Sequence, residues 1–134
     1  MSAPAAAVSP DGKKTAFAWM DKRRDGKDPD VFWALATGLS ISTDGPVSDS
    51  TAGDQNHPQL AFSPDGKIVY AVWEDRRSGG GQQIYATHSA LKGKNVVLSG
   101  QSRGAYPAIA CGGEMVAVVW ETDRDTVEFA RFPK

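Results

Sequence analysis

Three arginines, Arg23, Arg77 and Arg124, each stand four residues after a tryptophan. They lie in Trp19-Met20-Asp21-Lys22-Arg23, Trp73-Glu74-Asp75-Arg76-Arg77 and Trp120-Glu121-Thr122-Asp123-Arg124. A planar guanidinium fork matches a carboxylate or sulfate bidentately, so arginines recurring on one face suit the acidic groups of anionic glycans. Each arginine also has an aspartate within two residues, as in Asp21 with Arg23 and Asp75 with Arg77. Such a pair staples its own loop or bridges to the next unit, and repetition favours that role, because a ligand site usually breaks repeat symmetry. An exposed pair contributes only ~0–1 kcal/mol.

The second group of candidates lies in loops that do not repeat. Asp54-Gln55-Asn56-His57 and Gln101-Ser102-Arg103-Gly104-Ala105-Tyr106 hold equivalent places but differ in sequence. Variable polar loops on a rigid scaffold are where binding usually resides. His57 and Tyr106 occupy the same place, each just before a proline. The binding candidates are therefore Arg23, Arg77, Arg124, Asp54, His57, Arg103 and Tyr106. No catalytic residue stands out. A nucleophile needs an activating neighbour; Tyr70 and Tyr85 fall inside apolar runs, and Tyr106 has no glutamate partner visible in sequence. The 16 acidic residues permit a two-carboxylate glycosidase without singling out a pair. His57 and His88 lack metal-ligand spacing and no calcium-loop pattern is present, so neither metal nor cofactor is expected.

These residues are positioned by a repeat. Ala3-Pro4 through Lys13 and on to Trp19, His57-Pro58 through Lys67 to Trp73, and Tyr106-Pro107 through Glu114 to Trp120 align in order. The prolines are spaced by 54 and then 49 residues. Each unit reads as strands. The residues after X-Pro are extended. Ser-Pro-Asp-Gly is turn chemistry, with Asp11 and Asp65 bonding local amides. A β-branched and aromatic run then ends on tryptophan, which is expected to pack between units. Third strands follow at Val31–Leu35, Ile84–Thr87 and Glu128–Arg131, with weaker fourth strands near Pro46–Ser48 and Asn95–Leu98. Short strands, frequent turn signals and no 3.6-residue period argue an all-β chain. Four strands repeated at about fifty residues mark a β-propeller blade. The chain is read as one domain of three tandem blades, residues 1–56, 57–105 and 106–134, the last with three strands.

Bulk composition excludes some classes. A net charge of -1 carries no basic excess of the kind that nucleic-acid binding needs. A single cysteine, Cys111, forms no intrachain disulfide. No apolar run reaches membrane-span length, and the first residues show no signal-peptide pattern.

Ser-Pro-Asp-Gly-Lys before an apolar strand resembles the propeller repeats of the TolB type. Val72-Trp73-Glu74-Asp75-Arg76-Arg77-Ser78-Gly79 with Ile84-Tyr85-Ala86-Thr87-His88-Ser89 is similar to blades of the sialidase superfamily. Ser42-Thr43-Asp44-Gly45 stands at the place of that superfamily's Asp-box, without its second glycine and tryptophan. The resemblance implies a ligand face built from second-to-third loops and the loops leading into first strands. It implies that the Asp-box turn lies far from that face, and it favours a periplasmic or secreted location. It also implies an arginine triad with a Tyr–Glu pair in catalytic relatives, whose Arg-Ile-Pro segment is absent here. The expectation is a non-catalytic binding module for an anionic glycan or a protein. A fragment of a sialidase-like glycosidase and a structural fragment with no retained ligand are the alternatives. Three blades do not close a ring, so a homodimer of six blades, or the remainder of a longer propeller, is expected to complete it.

Overall fold

The computed structural model describes residues 3–124 and 126–131. These form three separate antiparallel sheets, each made of consecutive strands. The first contains β1 (Ala5–Val8), β2 (Lys14–Asp21), β3 (Asp30–Thr37), β4 (Ser40–Ile41) and β5 (Gly45–Pro46). The second contains β6 (Gln55–Phe62), β7 (Val69–Asp75), β8 (Gln83–His88) and β9 (Val96–Val97), with a 3-10 turn at Ser89–Leu91. The third contains β10 (Ala105–Gly112), β11 (Met115–Glu121) and β12 (Val127–Arg131). The chain is all-β, as its repeat predicts; the second and third sheets begin at Gln55 and Ala105, just before the expected starts of the second and third units.

The turns form for the reasons their residues dictate. Gly12 and Gly66 donate their N–H to the carbonyls of Ser9 and Ser63, both at 2.8 Å. Their φ values of 73° and 69° suit glycine. Asp11 Oδ1 accepts from Ser9 Oγ and the Lys13 amide, and Asp65 Oδ1 accepts from Ser63 Oγ and the Lys67 amide. Hydrogen bonds from the serines, then from the backbone, hold both carboxyls below their ordinary value.

The outer strand of the first sheet differs from the expected Pro46–Ser48. Two short pieces share the edge of β3: β4 pairs with Ala36 and Thr37, and β5 pairs with Phe32 and Trp33. The chain between them climbs β3, held by Ser42, which donates its N–H to the Leu35 carbonyl and accepts the Leu35 N–H on Oγ.

The sheets pack face to face. Ala16, Ala18, Val31 and Val47 of the first meet Leu60, Phe62, Val69, Ala71 and Trp73 of the second. Tyr70, Val72, Ile84 and Ala86, on the opposite face of the second, meet Val116, Val118 and Trp120 of the third. Alternate residues of β7 thus serve two interfaces, which is why its whole length is buried. The tryptophans at 73 and 120 lie between sheets, as expected. Main-chain bonds repeat across both junctions: Gln55 N–H to Pro29 O at 2.8 Å, and Gly104 N–H to Gln82 O at 3.0 Å.

Candidate functional site

The loops β2–β3, β7–β8 and β11–β12 and the segments leading into β6 and β10 gather at one end of the sheets, because Gln55 pairs with Asp75 and Ala105 with Glu121. Five of the seven candidate residues belong to these segments, and His57 and Tyr106 lie just inside β6 and β10 at the same end. The structure divides six of the seven into three groups.

Arg23 and Arg77 are pinned by their own aspartates. Arg23 Nη2 lies 2.6 Å from Asp21 Oδ2, and its Nη1 lies 3.0 Å from Asp44. Its guanidinium sits 4.5 Å above the Phe32 ring. Hydrogen bonding from Arg23 holds the Asp21 carboxyl down to about 2 against the desolvation that would raise it. Arg77 is more enclosed. It bonds Asp75 and Asp49, Ser48 Oγ at 3.0 Å and Asn95 Oδ1 at 2.9 Å, and it lies 4.1 Å from the Tyr85 ring centre. Ser48 and Asp49 belong to the first unit, so Arg77 ties two units together. Each aspartate also accepts the tryptophan indole N–H, from Trp19 at 3.4 Å and from Trp73 at 2.8 Å. Asp44 does not occupy a turn at the far end of the sheet, where the Asp-box resemblance placed it. The climb of residues 42–45 along β3 carries it to Arg23.

The third loop breaks the pattern. Thr122 stands where Asp21 and Asp75 stand. Its Oγ1 still accepts the amide of the residue two further on, Arg124, at 3.2 Å, as Asp21 and Asp75 do for Arg23 and Arg77. It provides no carboxylate. Among the described residues, Arg124 therefore has no ion-pair partner, and the buried indole Nε1 of Trp120 has no hydrogen-bond acceptor. Arg124 instead lines a cleft of about 600 Å³ with Gln101, Ser102, Arg103, Thr126 and Glu128. Asp123 and Thr122 complete its wall. Arg103 lines this cleft and packs on Gly81, where a β-carbon would stand 2.7 Å from Arg103 Nε. Two guanidiniums, two carboxylates, an amide and three hydroxyls share this space. Sequence pairs Arg124 with Arg23 and Arg77; the fold pairs it with Arg103.

His57 and Tyr106 form the third group. Both sit in β-bulges, between Asn56 and Gln59 and between Ala105 and Ala108, and both have positive φ, 51° and 52°. Their rings meet edge to face at 4.9 Å. Glu74 holds the two bulges together: its Oε2 lies 2.7 Å from His57 Nδ1 and accepts the Tyr106 main-chain N–H at 2.8 Å. This is the glutamate that sequence reading did not find for Tyr106. Its signal was Glu74 following Trp73, one strand away. Its carboxylate serves the Tyr106 amide, which marks a junction between sheets. Asp54 stands apart from these groups. Its carbonyl accepts the Arg76 N–H at 2.9 Å, and its carboxyl neighbours Asp28, whose own carboxyl is pushed up by desolvation and then by Asp54.

Sequence reading also missed Asp30. It is fully buried, its oxygens have no hydrogen-bond donor among the described residues, and Arg24 Nε stands 3.7 Å away. Burial raises its carboxyl, with Arg24 opposing. On the opposite end of the sheets, His88 meets Tyr70 edge to face at 5.4 Å, and burial lowers its imidazole. Its Nδ1 accepts the Ala90 N–H. Among the described residues, no group of three or more His, Cys, Asp or Glu is arranged to hold a metal, and no helix is long and apolar enough to cross a membrane. No protein-family model and no curated protein matches the chain.

Proposed function

We propose that the chain is a non-catalytic binding module of the β-propeller kind, and that its ligand is an anionic glycan held at the Arg103–Arg124 cleft. The observation that carries this reading is the substitution of Thr122 for the repeated aspartate. It leaves Arg124 without the partner that occupies Arg23 and Arg77. A symmetry-breaking site on a repeated scaffold is where binding is expected. The cleft chemistry fits an acidic sugar better than a bare anion. The guanidiniums suit a carboxylate or sulfate, while Asp123, Glu128, Gln101 and the hydroxyls of Ser102, Thr122 and Thr126 suit sugar hydroxyls.

The test is an amide NMR titration with sialyllactose, a sulfated disaccharide and neutral lactose. Shifts are expected for Gln101–Arg103 and Thr122–Arg124 with the acidic sugars only. They should weaken with added salt and vanish in Arg103→Ala and Arg124→Ala. Absence of shifts with both acidic sugars, or binding undisturbed by either substitution, sinks the glycan reading. Turnover of a fluorogenic sialoside that is lost in Arg124→Ala would replace it with a glycosidase.

A further inference from the structure

The two junctions between sheets use one set of positions twice. Toward the preceding sheet, the second sheet presents Leu60, Phe62, Val69, Ala71 and Trp73, and the third presents Ile109, Cys111, Val116, Val118 and Trp120 at matching repeat positions. The first sheet has Ala6, Val8, Thr15, Phe17 and Trp19 at these positions. Ala5 and Ala7 of β1 pack toward the second sheet, so Ala6 and Val8 point the other way, and Val8 is 61% exposed.

The opposite face repeats as well. Toward the next sheet, the second sheet presents Ile68, Val72, Ile84 and Ala86, the last three at most 1% exposed. The third sheet places Met115, Val119, Val127 and Phe129 at the same four positions, where they are 43%, 38%, 69% and 57% exposed. Ala130 of β12 packs back against the second sheet, which sets Val127 and Phe129 on the outer side. Glu121 is exposed where Glu74 accepts the amide of the following sheet's bulge.

The molecule therefore carries two different open faces. One has the positional pattern that elsewhere receives a preceding sheet, and the other has the pattern that receives a following one. They are complementary to each other. We propose that a second copy of this chain covers them, the third sheet of one copy packing on the first sheet of the other, so that two reciprocal head-to-tail junctions close a ring of six sheets. A head-to-tail contact either closes or propagates as a filament. Six sheets lie within the ~4–8 blades at which propellers close. This inference rests on the inter-sheet packing and is independent of the ligand.

Light scattering of the full chain tests it with two substitutions at exposed sites, Val8→Glu on the first face and Phe129→Glu on the second. The unaltered chain is expected at twice its 14.3 kDa mass. Each variant alone is expected at the single-chain mass with its strand-rich spectrum kept, because every junction then holds one altered face. An equimolar mixture regains part of the doubled mass, since a Val8→Glu copy offers an intact third sheet to the intact first sheet of a Phe129→Glu copy, while the other junction of that pair holds both altered faces. A single-chain mass for the unaltered protein at high concentration, an open-ended series of masses, or a dimer indifferent to both substitutions would each overturn the proposal.

Discussion

Three arginines at one repeat position have two fates, decided by a single neighbouring side chain. Where that neighbour is aspartate, the guanidinium is spent within the fold. Asp75 is fully buried, so Arg77→Ala would strand its charge. Removing one partner of a buried pair costs about 3–5 kcal/mol, and part-exposure of Arg77 puts the expected loss near the lower end. Urea denaturation at pH 7 measures it. Arg77→Lys should recover little, because an ammonium cannot serve several acceptors as a planar fork does. Arg124→Ala should move the urea midpoint hardly at all while removing ligand binding. Thr122→Asp tests the same contrast from the other side. A carboxylate there gives the Trp120 indole N–H an acceptor, and satisfying a buried donor is worth about 1 kcal/mol. It also pairs with Arg124. The expected result is a higher melting temperature with weaker glycan binding; a stabilised variant with unchanged binding would detach Arg124 from the ligand.

The carboxyls give stability a pH profile with two limbs. Asp21 is held at about 2 when folded, against 3.8 for its ordinary value. It adds stability above 3.8 that is lost as pH falls toward 2, and Asp11 and Asp65 act in the same sense. Asp30 is raised by burial, so the folded chain holds its proton more tightly than the unfolded chain. Stability therefore falls as pH rises from 3.8 through its raised value. In urea midpoints measured from pH 2 to 7, Asp21→Asn should flatten the acid limb and Asp30→Asn the opposite one. A profile that neither substitution alters would contradict these assignments.

At the scale of elements, junctions between sheets depend on positions where one residue meets two sheets. Gly104 is the tightest. A β-carbon there would stand 2.7 Å from Ile84 Cγ1 and 2.8 Å from Trp120 Cδ1, both core side chains. Neither can withdraw without opening the second junction, so Gly104→Ala is expected to cost about 1–3 kcal/mol, as overpacking does. The equivalent position of the preceding junction holds Gln55, fully buried. There the side chain is the link: Oε1 accepts the Val31 N–H at 3.0 Å, and Nε2 donates to Ser48 Oγ at 2.7 Å and Ser50 O at 2.9 Å. Gln55→Ala should cost about 1–3 kcal/mol through buried groups left unpaired. Chemical denaturation of both variants checks these values. The two junctions are the same architecture sealed by opposite means, one by bulk and hydrogen bonds, the other by the absence of a side chain.

At the scale of the whole molecule, three sheets stacked in a row bury two interfaces and leave two faces open. Exposed Val127 and Phe129 at positions buried elsewhere are an association surface in the making. If a second copy covers them, folding and assembly are linked, and the melting temperature should rise with protein concentration. A melting temperature that is constant over a hundredfold dilution would separate the fold's stability from any partner.

The repeat, its strands and its turns were legible in sequence because they rest on local chemistry. Proline, Ser-Pro-Asp-Gly and β-branched runs act within a few residues of one another, and three aligned copies reinforce each reading. The pinning of Asp21 to Arg23 and Asp75 to Arg77 was legible for the same reason. What sequence alone could not decide were the meetings between units. Arg103 with Arg124, Glu74 with the His57 and Tyr106 bulges, Asp44 with Arg23, and the buried Asp30 all depend on how one sheet lies against another or how a strand edge is shared. Those arrangements follow from packing side chains from opposite faces across two junctions, and no spacing along the chain encodes them. The three arginines looked alike in sequence because they share a position; tertiary structure told them apart because, among the described residues, Arg124 lines a cleft without a carboxylate partner while Arg23 and Arg77 are paired.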